Sequence, residues 1–145
     1  MSDLTRDDLT KDDLTKDDLT KDDHPKTTFL YRRQDMRREP LPNCHNGVGA
    51  LDWITVLDNT TPGAPLSRKV LFIHDDILAP GVSIGVHPHD HEEYYYILSG
   101  EGVMTLDSER VPITAGDLTA IYPGGSHGLE NTGETEMRII VIGVG

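Results

Sequence analysis

The sequence predicts an all-β domain, a sandwich or barrel, preceded by a charged tail and an irregular arm. Two observations carry this reading. After residue 50, short runs rich in Val, Ile, Leu, Thr and Tyr alternate with turns built from Gly, Pro and Asp, at roughly the 8–12-residue spacing of strands in all-β domains. Beyond that residue no stretch sustains the apolar period of a helix.

The runs predict strands over 51–57 (LDWITVL), 68–74 (RKVLFIH), 82–87 (VSIGVH), 93–99 (EYYYILS), 102–107 (GVMTLD), 109–114 (ERVPIT), 117–122 (DLTAIY), 127–131 (HGLEN) and 136–142 (EMRIIVI). The turns between them include TPGAP, APG, SGEG, AGD and PGG. Pro112 lies inside a run, and a proline donates nothing to a strand ladder, so that strand belongs at a sheet edge or carries a bulge.

The remainder divides in two. Residues 4–23 repeat one pentapeptide four times, as LTRDD and then LTKDD three times. A period of five scatters the leucines around a helix and flips faces along a strand, so 1–23 reads as a solvated acidic tail. Residues 24–50, rich in Arg and Pro with no clear period, read as an irregular arm leading into a barrel domain over 51–145.

Composition bounds the function. A chain of 145 residues has room for one ordinary domain. The net charge of −12 argues against nucleic acid or an anionic membrane as partner. With one cysteine, Cys44, no intramolecular disulfide can form. The N-terminus shows no secretory pattern and no apolar run approaches the ~18 residues of a membrane span. A cytoplasmic protein is expected.

The chemistry concentrates in GVSIGVHPHDHEEYYYILSGEG, residues 81–102. Residues two apart on a strand share a face, so His87 and His89 point the same way, with Pro88 suiting a strand end. Glu93 heads the next strand, and His127 follows the turn YPGGS. Neutral imidazoles with a carboxylate suit divalent Zn, Fe, Mn, Ni or Co rather than Ca or Mg. On the residues alone, His89 with His91 is a competing pair.

This pattern resembles the cupin superfamily, small metal-binding jelly rolls. The usual first motif, G-x5-H-x-H-x3,4-E-x6-G, is met at every spacing by Gly81, His87, His89, Glu93 and Gly100. In the usual second motif, G-x5-P-x-G-x2-H-x3-N, Gly116, His127 and Asn131 hold their places. Its proline comes one place late as Pro123, with Gly124 and Gly125 after it. The resemblance covers about residues 45–145. It implies a single jelly-roll (double-stranded β-helix) barrel of two antiparallel sheets, with His87, His89, Glu93 and His127 as metal ligands. His91 falls between the motif positions.

Four protein ligands on an octahedral ion leave two adjacent positions for a small molecule with neighbouring oxygens. The resemblance therefore implies one divalent transition metal (Mn, Fe, Ni, Zn or Co) and a metalloenzyme of dioxygenase or isomerase, lyase or cyclase type. A non-catalytic module binding sugars or organic acids is the other reading. Tyr95, His91 and His45 are the candidates for an acid or base. Tyr95 and Ile97 share the inward parity of Glu93. Tyr94, Tyr96 and Leu98 face outward, where they and the arm are the expected contacts of a homodimer. His74 reads as structural.

Overall fold

The computed structural model describes residues 30–59, 67 and 69–145. The pentapeptide tail lies outside the described residues. Among the described residues, ten strands build two sheets: β1 (Arg37–Pro42), β2 (Ala50–Asp58), β3 (Val70–Leu78), β4 (Ser83–Pro88), β5 (Glu92–Ser99), β6 (Glu101–Leu106), β7 (Glu109–Thr114), β8 (Leu118–Ile121), β9 (Ser126–Glu130) and β10 (Met137–Val144). The larger sheet runs β1-β2-β3-β10-β5-β8 and the smaller β4-β9-β6-β7. Every paired strand is antiparallel. This is the jelly-roll barrel of two antiparallel sheets, with all nine predicted strands present.

The inner faces meet in an apolar core that includes Leu51, Leu78, Ile84, Ile97, Met104, Leu129 and Ile139. Alternation along β5 does what its parity predicts: Glu93, Tyr95 and Ile97 are buried, while Tyr96 and Leu98 are exposed. Burying a side chain such as Ile97, which is 0% exposed, is worth about 1.5–3 kcal/mol. A one-residue slip of β5 would expose that whole set together. Pro112 sits on β7, which among the described residues pairs with β6 alone, the edge position that a residue without an N–H suits.

Two expectations need correction. The segment 24–50 is not irregular throughout, because β1 pairs with β2 from Arg37↔Thr55 to Pro42↔Ala50. As an edge strand β1 buries little, only Leu41 packing against the core, so its sequence carries no apolar alternation. Cross-strand contacts hold it instead, with the Arg38 Nε donating to both oxygens of Asp52 at 3.0 Å. The predicted strand 68–74 also continues to Leu78, through Asp75 and Asp76. Aspartate disfavours strands, but Asp75 accepts two bonds from Arg138 at 2.8 and 2.7 Å and one from Arg33 at 2.5 Å. Those arginines offset its burial and fasten the arm to the sheet.

Candidate metal centre

Strand pairing brings the donors together. His87 on β4 lies directly opposite His127 on β9, so the smaller sheet supplies two imidazoles side by side. His89 follows the end of β4. Its N–H donates to Gly125 O at 3.1 Å, and its carbonyl accepts from Gly124 N–H at 3.0 Å. The altered turn Pro123–Gly125 therefore anchors the loop that carries His89. Glu93 enters from β5 of the larger sheet. Asn131, the last residue of the second motif, works at the opposite end of β9: its Nδ2 donates to Leu78 O and Thr135 O, both at 2.9 Å.

One donor atom from each of His87, His89, Glu93 and His127 lies within 4.8 Å of the others, and the group could hold a metal ion. The Nε2 atoms of His89 and His87 are 2.8 Å apart, and those of His127 and His89 are 3.0 Å apart. Glu93 Oε1 stands 3.4 Å from His89 Nε2 and 3.3 Å from His127 Nε2. Ligands bound at about 2.0–2.1 Å to one ion are separated from their neighbours by about 2.9–3.4 Å, so the donor spacing fits a single small cation. His87 donates its Nδ1–H to Gly85 O at 2.7 Å. That proton leaves Nε2 as a lone pair facing the other donors, the usual tautomer control of a metal-binding imidazole.

Electrostatics prepares the same state. Burial pushes the His87 imidazole down to about 4, only partly opposed by the bond to Gly85. Burial likewise lowers His89. For Glu93 burial acts upward, but hydrogen bonding from His127 and the neighbouring His89 outweigh it and leave the carboxyl below its ordinary value. Neutral imidazoles and an ionised carboxylate are the protonation states a divalent metal requires.

The other candidates lie around this group. His91 sits at its edge, with side chain 24% exposed. Its Nε2 is 3.4 Å from Glu93 Oε2 and its Nδ1 is 3.0 Å from Asp90 Oδ1. The Tyr95 ring is 4.7 Å from that of His127. Burial, with Glu93 nearby, holds the Tyr95 hydroxyl well above its ordinary value, so it is a proton donor and not a base. His45, the third acid–base candidate, stacks on His87 with ring centroids 3.5 Å apart.

Two buried groups had no functional signal in the sequence. His74 lies between Trp53 and Phe72, at 4.0 and 4.6 Å between ring centroids, and burial lowers it to about 4. Asp76 is 2% exposed and accepts from Ile54 N–H at 3.3 Å; burial raises it to about 7. The predicted strand stops at His74, short of both aspartates; the sheet shows that Asp76 faces inward.

Known proteins agree with this architecture. The family model described as a cupin domain matches residues 76–143. A Thermotoga maritima protein named oxalate-binding protein is 33% identical over 117 residues, 80% of this chain and 93% of that protein. The crystal structure of a predicted oxalate decarboxylase from Thermotoga maritima superposes with a TM-score of 0.69 at 32% identity, covering 80% of this chain and 98% of that one. A polyketide cyclase from Streptomyces resistomycificus shares the fold, with a TM-score of 0.62 at 17% identity over 81% of this chain and 80% of its own. Among the described residues, no helix is long and apolar enough to cross a membrane. With its fold, both motifs and a relative matched along most of its length, the chain belongs to the cupin family.

Proposed function

We propose that the protein holds one divalent transition metal on His87, His89, Glu93 and His127 and acts as a metalloenzyme on a small oxygen-rich acid of the oxalate type. The observation that carries this reading is the convergence of three imidazole nitrogens and a carboxylate oxygen at the spacing one ion requires. When bound, such an ion supplies Lewis-acid stabilisation to a chelated substrate. The relatives named for oxalate support the substrate class and favour a lyase among the reaction types. Dioxygenase, isomerase and cyclase chemistry use the same ligand set. Mn, Fe, Co, Ni and Zn all suit these donors.

The chain's own residues have distinct parts. His87 and His89 offer neutral Nε2 atoms, and Glu93 brings the negative charge. Tyr95 keeps its proton and can donate a hydrogen bond inside the barrel. His91, against Glu93 Oε2, is the candidate to hold or release a proton at that oxygen. A second reading, a binding module without turnover, is favoured by the engagement of these groups: Tyr95 is held protonated, His91 is engaged by Asp90 and Glu93, and His45 lies on His87. A general base must be free to take a proton from the substrate.

The test is elemental analysis of the purified protein, followed by oxalate titration of each metal-loaded form with assay of formate and carbon dioxide. Stoichiometric metal with oxalate turnover is expected. Oxalate binding without products would establish the second reading, and failure to bind any of the five metals would end both. We further propose a cytoplasmic homodimer formed through the outward face of β5 and β8, where Tyr96, Leu98, Leu118 and Tyr122 are 42%, 39%, 59% and 56% exposed. Light scattering should give twice the chain mass, and Leu118→Lys should halve it.

A further inference from the structure

The loop before β2 is strained at a residue that buries nothing for the core. Asn43, His45 and Asn46 have φ of 50°, 50° and 64°, in the left-handed region that disfavours non-glycine residues. Such conformations persist only where the surroundings over-determine them, and here they do. Asn43 N–H donates to Gly49 O at 2.8 Å, Gly47 N–H to Cys44 O at 2.9 Å and Ser83 N–H to Val48 O at 2.9 Å. Val48 N–H returns a bond to Ser83 Oγ at 2.8 Å. Two glycines let the loop lie directly on β4: a Cβ on Gly85 would stand 1.9 Å from His45 O, and one on Gly47 would stand 2.1 Å from Ser83 O. The β4–β9 register shifts between Ile84 and His87, where this contact falls.

The consequence is the placement of one ring. The exposed His45 imidazole lies flat on His87, with centroids 3.5 Å apart and planes 9° from parallel. His87 is then fixed twice. Its Nδ1–H bond to Gly85 O, at 2.7 Å, sets the direction of the ring within its plane. The His45 face sets the plane. Gly85 serves both constraints, since its carbonyl takes the ring bond and its missing side chain lets the loop close on β4, and together they aim Nε2 at the other donors.

We propose that His45 is a positioning residue of the metal centre, its strained turn pressing an imidazole face on His87 so that the ligand ring is set before metal arrives. This rests on the metal reading above. An ordered ligand loses less rotamer freedom on binding, so preorganisation raises affinity. His45 itself is outside the four-donor group and needs only an aromatic face for this role.

The test compares His45→Asn, which tolerates the left-handed turn but has no ring, with His45→Phe, which keeps a ring and has no nitrogen. Two quantities are measured: the affinity of each full-length protein for cobalt(II) by calorimetry, and the NMR signal of the His87 Nδ1–H without metal. His45→Asn should bind cobalt about 5–10-fold more weakly and exchange the His87 Nδ1–H at least about tenfold faster, with its metal-free melting temperature little changed. His45→Phe should stay within about twofold of wild type in both. Unchanged affinity and exchange in His45→Asn would overturn the proposal, and so would a Phe variant as impaired as the Asn variant. If the wild-type protein binds none of the five metals, the metal reading fails, and the ring signal still decides whether His45 fixes His87.

Discussion

His74 on β3 and His87 on β4 belong to different sheets of one barrel, and burial lowers both to about 4. Their surroundings then diverge. His74 is packed between the rings of Trp53 and Phe72. His87 commits Nδ1 to a carbonyl and turns Nε2 toward two imidazoles and a carboxylate. Burial decides that each is neutral, and convergence decides which can be a ligand. A depressed histidine is therefore poor evidence of a site until its free nitrogen is seen to share a target with other donors.

The sharpest way to break this comparison is to remove each histidine and measure metal. His87→Ala and His127→Ala should each weaken binding by about a decade or more, as should Glu93→Gln. His74→Gln should stay at wild-type occupancy. Metal content after dialysis reads all four, and an empty site in His74→Gln would show that the aromatic pocket supports the ligands. Added metal should also stabilise the wild-type fold, by about 2.7 kcal/mol at about 100 times the dissociation constant.

The second prediction separates the histidines by acid stability. The folded His74 value of about 4 lies below the ordinary 6.5, so the unfolded chain takes up a proton first. Stability is then complete above about pH 6.5 and falls as pH drops toward 4, by up to about 3 kcal/mol for this group. In metal-free protein, denaturant melts of His74→Gln should lose less stability over that window than wild type. Parallel losses would mean His74 is not the group that titrates.

Asp76 acts with the opposite sign. Its folded value of about 7 exceeds the ordinary 3.8. The folded state holds the proton more tightly, so stability from this group declines as pH rises from about 4 to 7. Asp76→Asn should stabilise the protein at pH 8 by about 1–2 kcal/mol and change little at pH 4. Destabilisation at pH 8 would mean that the ionised carboxylate has partners beyond Ile54 N–H. The smallest effect is expected at His91, which touches Glu93 from outside the four-donor group. His91→Ala should keep cobalt affinity within about threefold, and loss of metal would put His91 among the ligands.

Much of the fold and the candidate donor group was legible in the chain, because both depend on relations between near neighbours. Alternation along β5 separates Glu93, Tyr95 and Ile97 from Tyr94, Tyr96 and Leu98 by geometry alone. The two-residue spacing of His87 and His89 and the four-residue step to Glu93 put three donors at adjoining strand ends, and His127 joined them through motif spacing. What the tertiary structure decided involves partners far apart in sequence. Pairing with β2 makes a strand of Arg37–Pro42. Arg33 and Arg138 let Asp75 lie buried in β3, while its neighbour Asp76 turns inward. The close approach of Gly85 to the 43–47 loop lays His45 on His87. A residue's periodicity is written in its neighbours, but the partner that meets a strained or charged group is chosen by the packing of the two sheets.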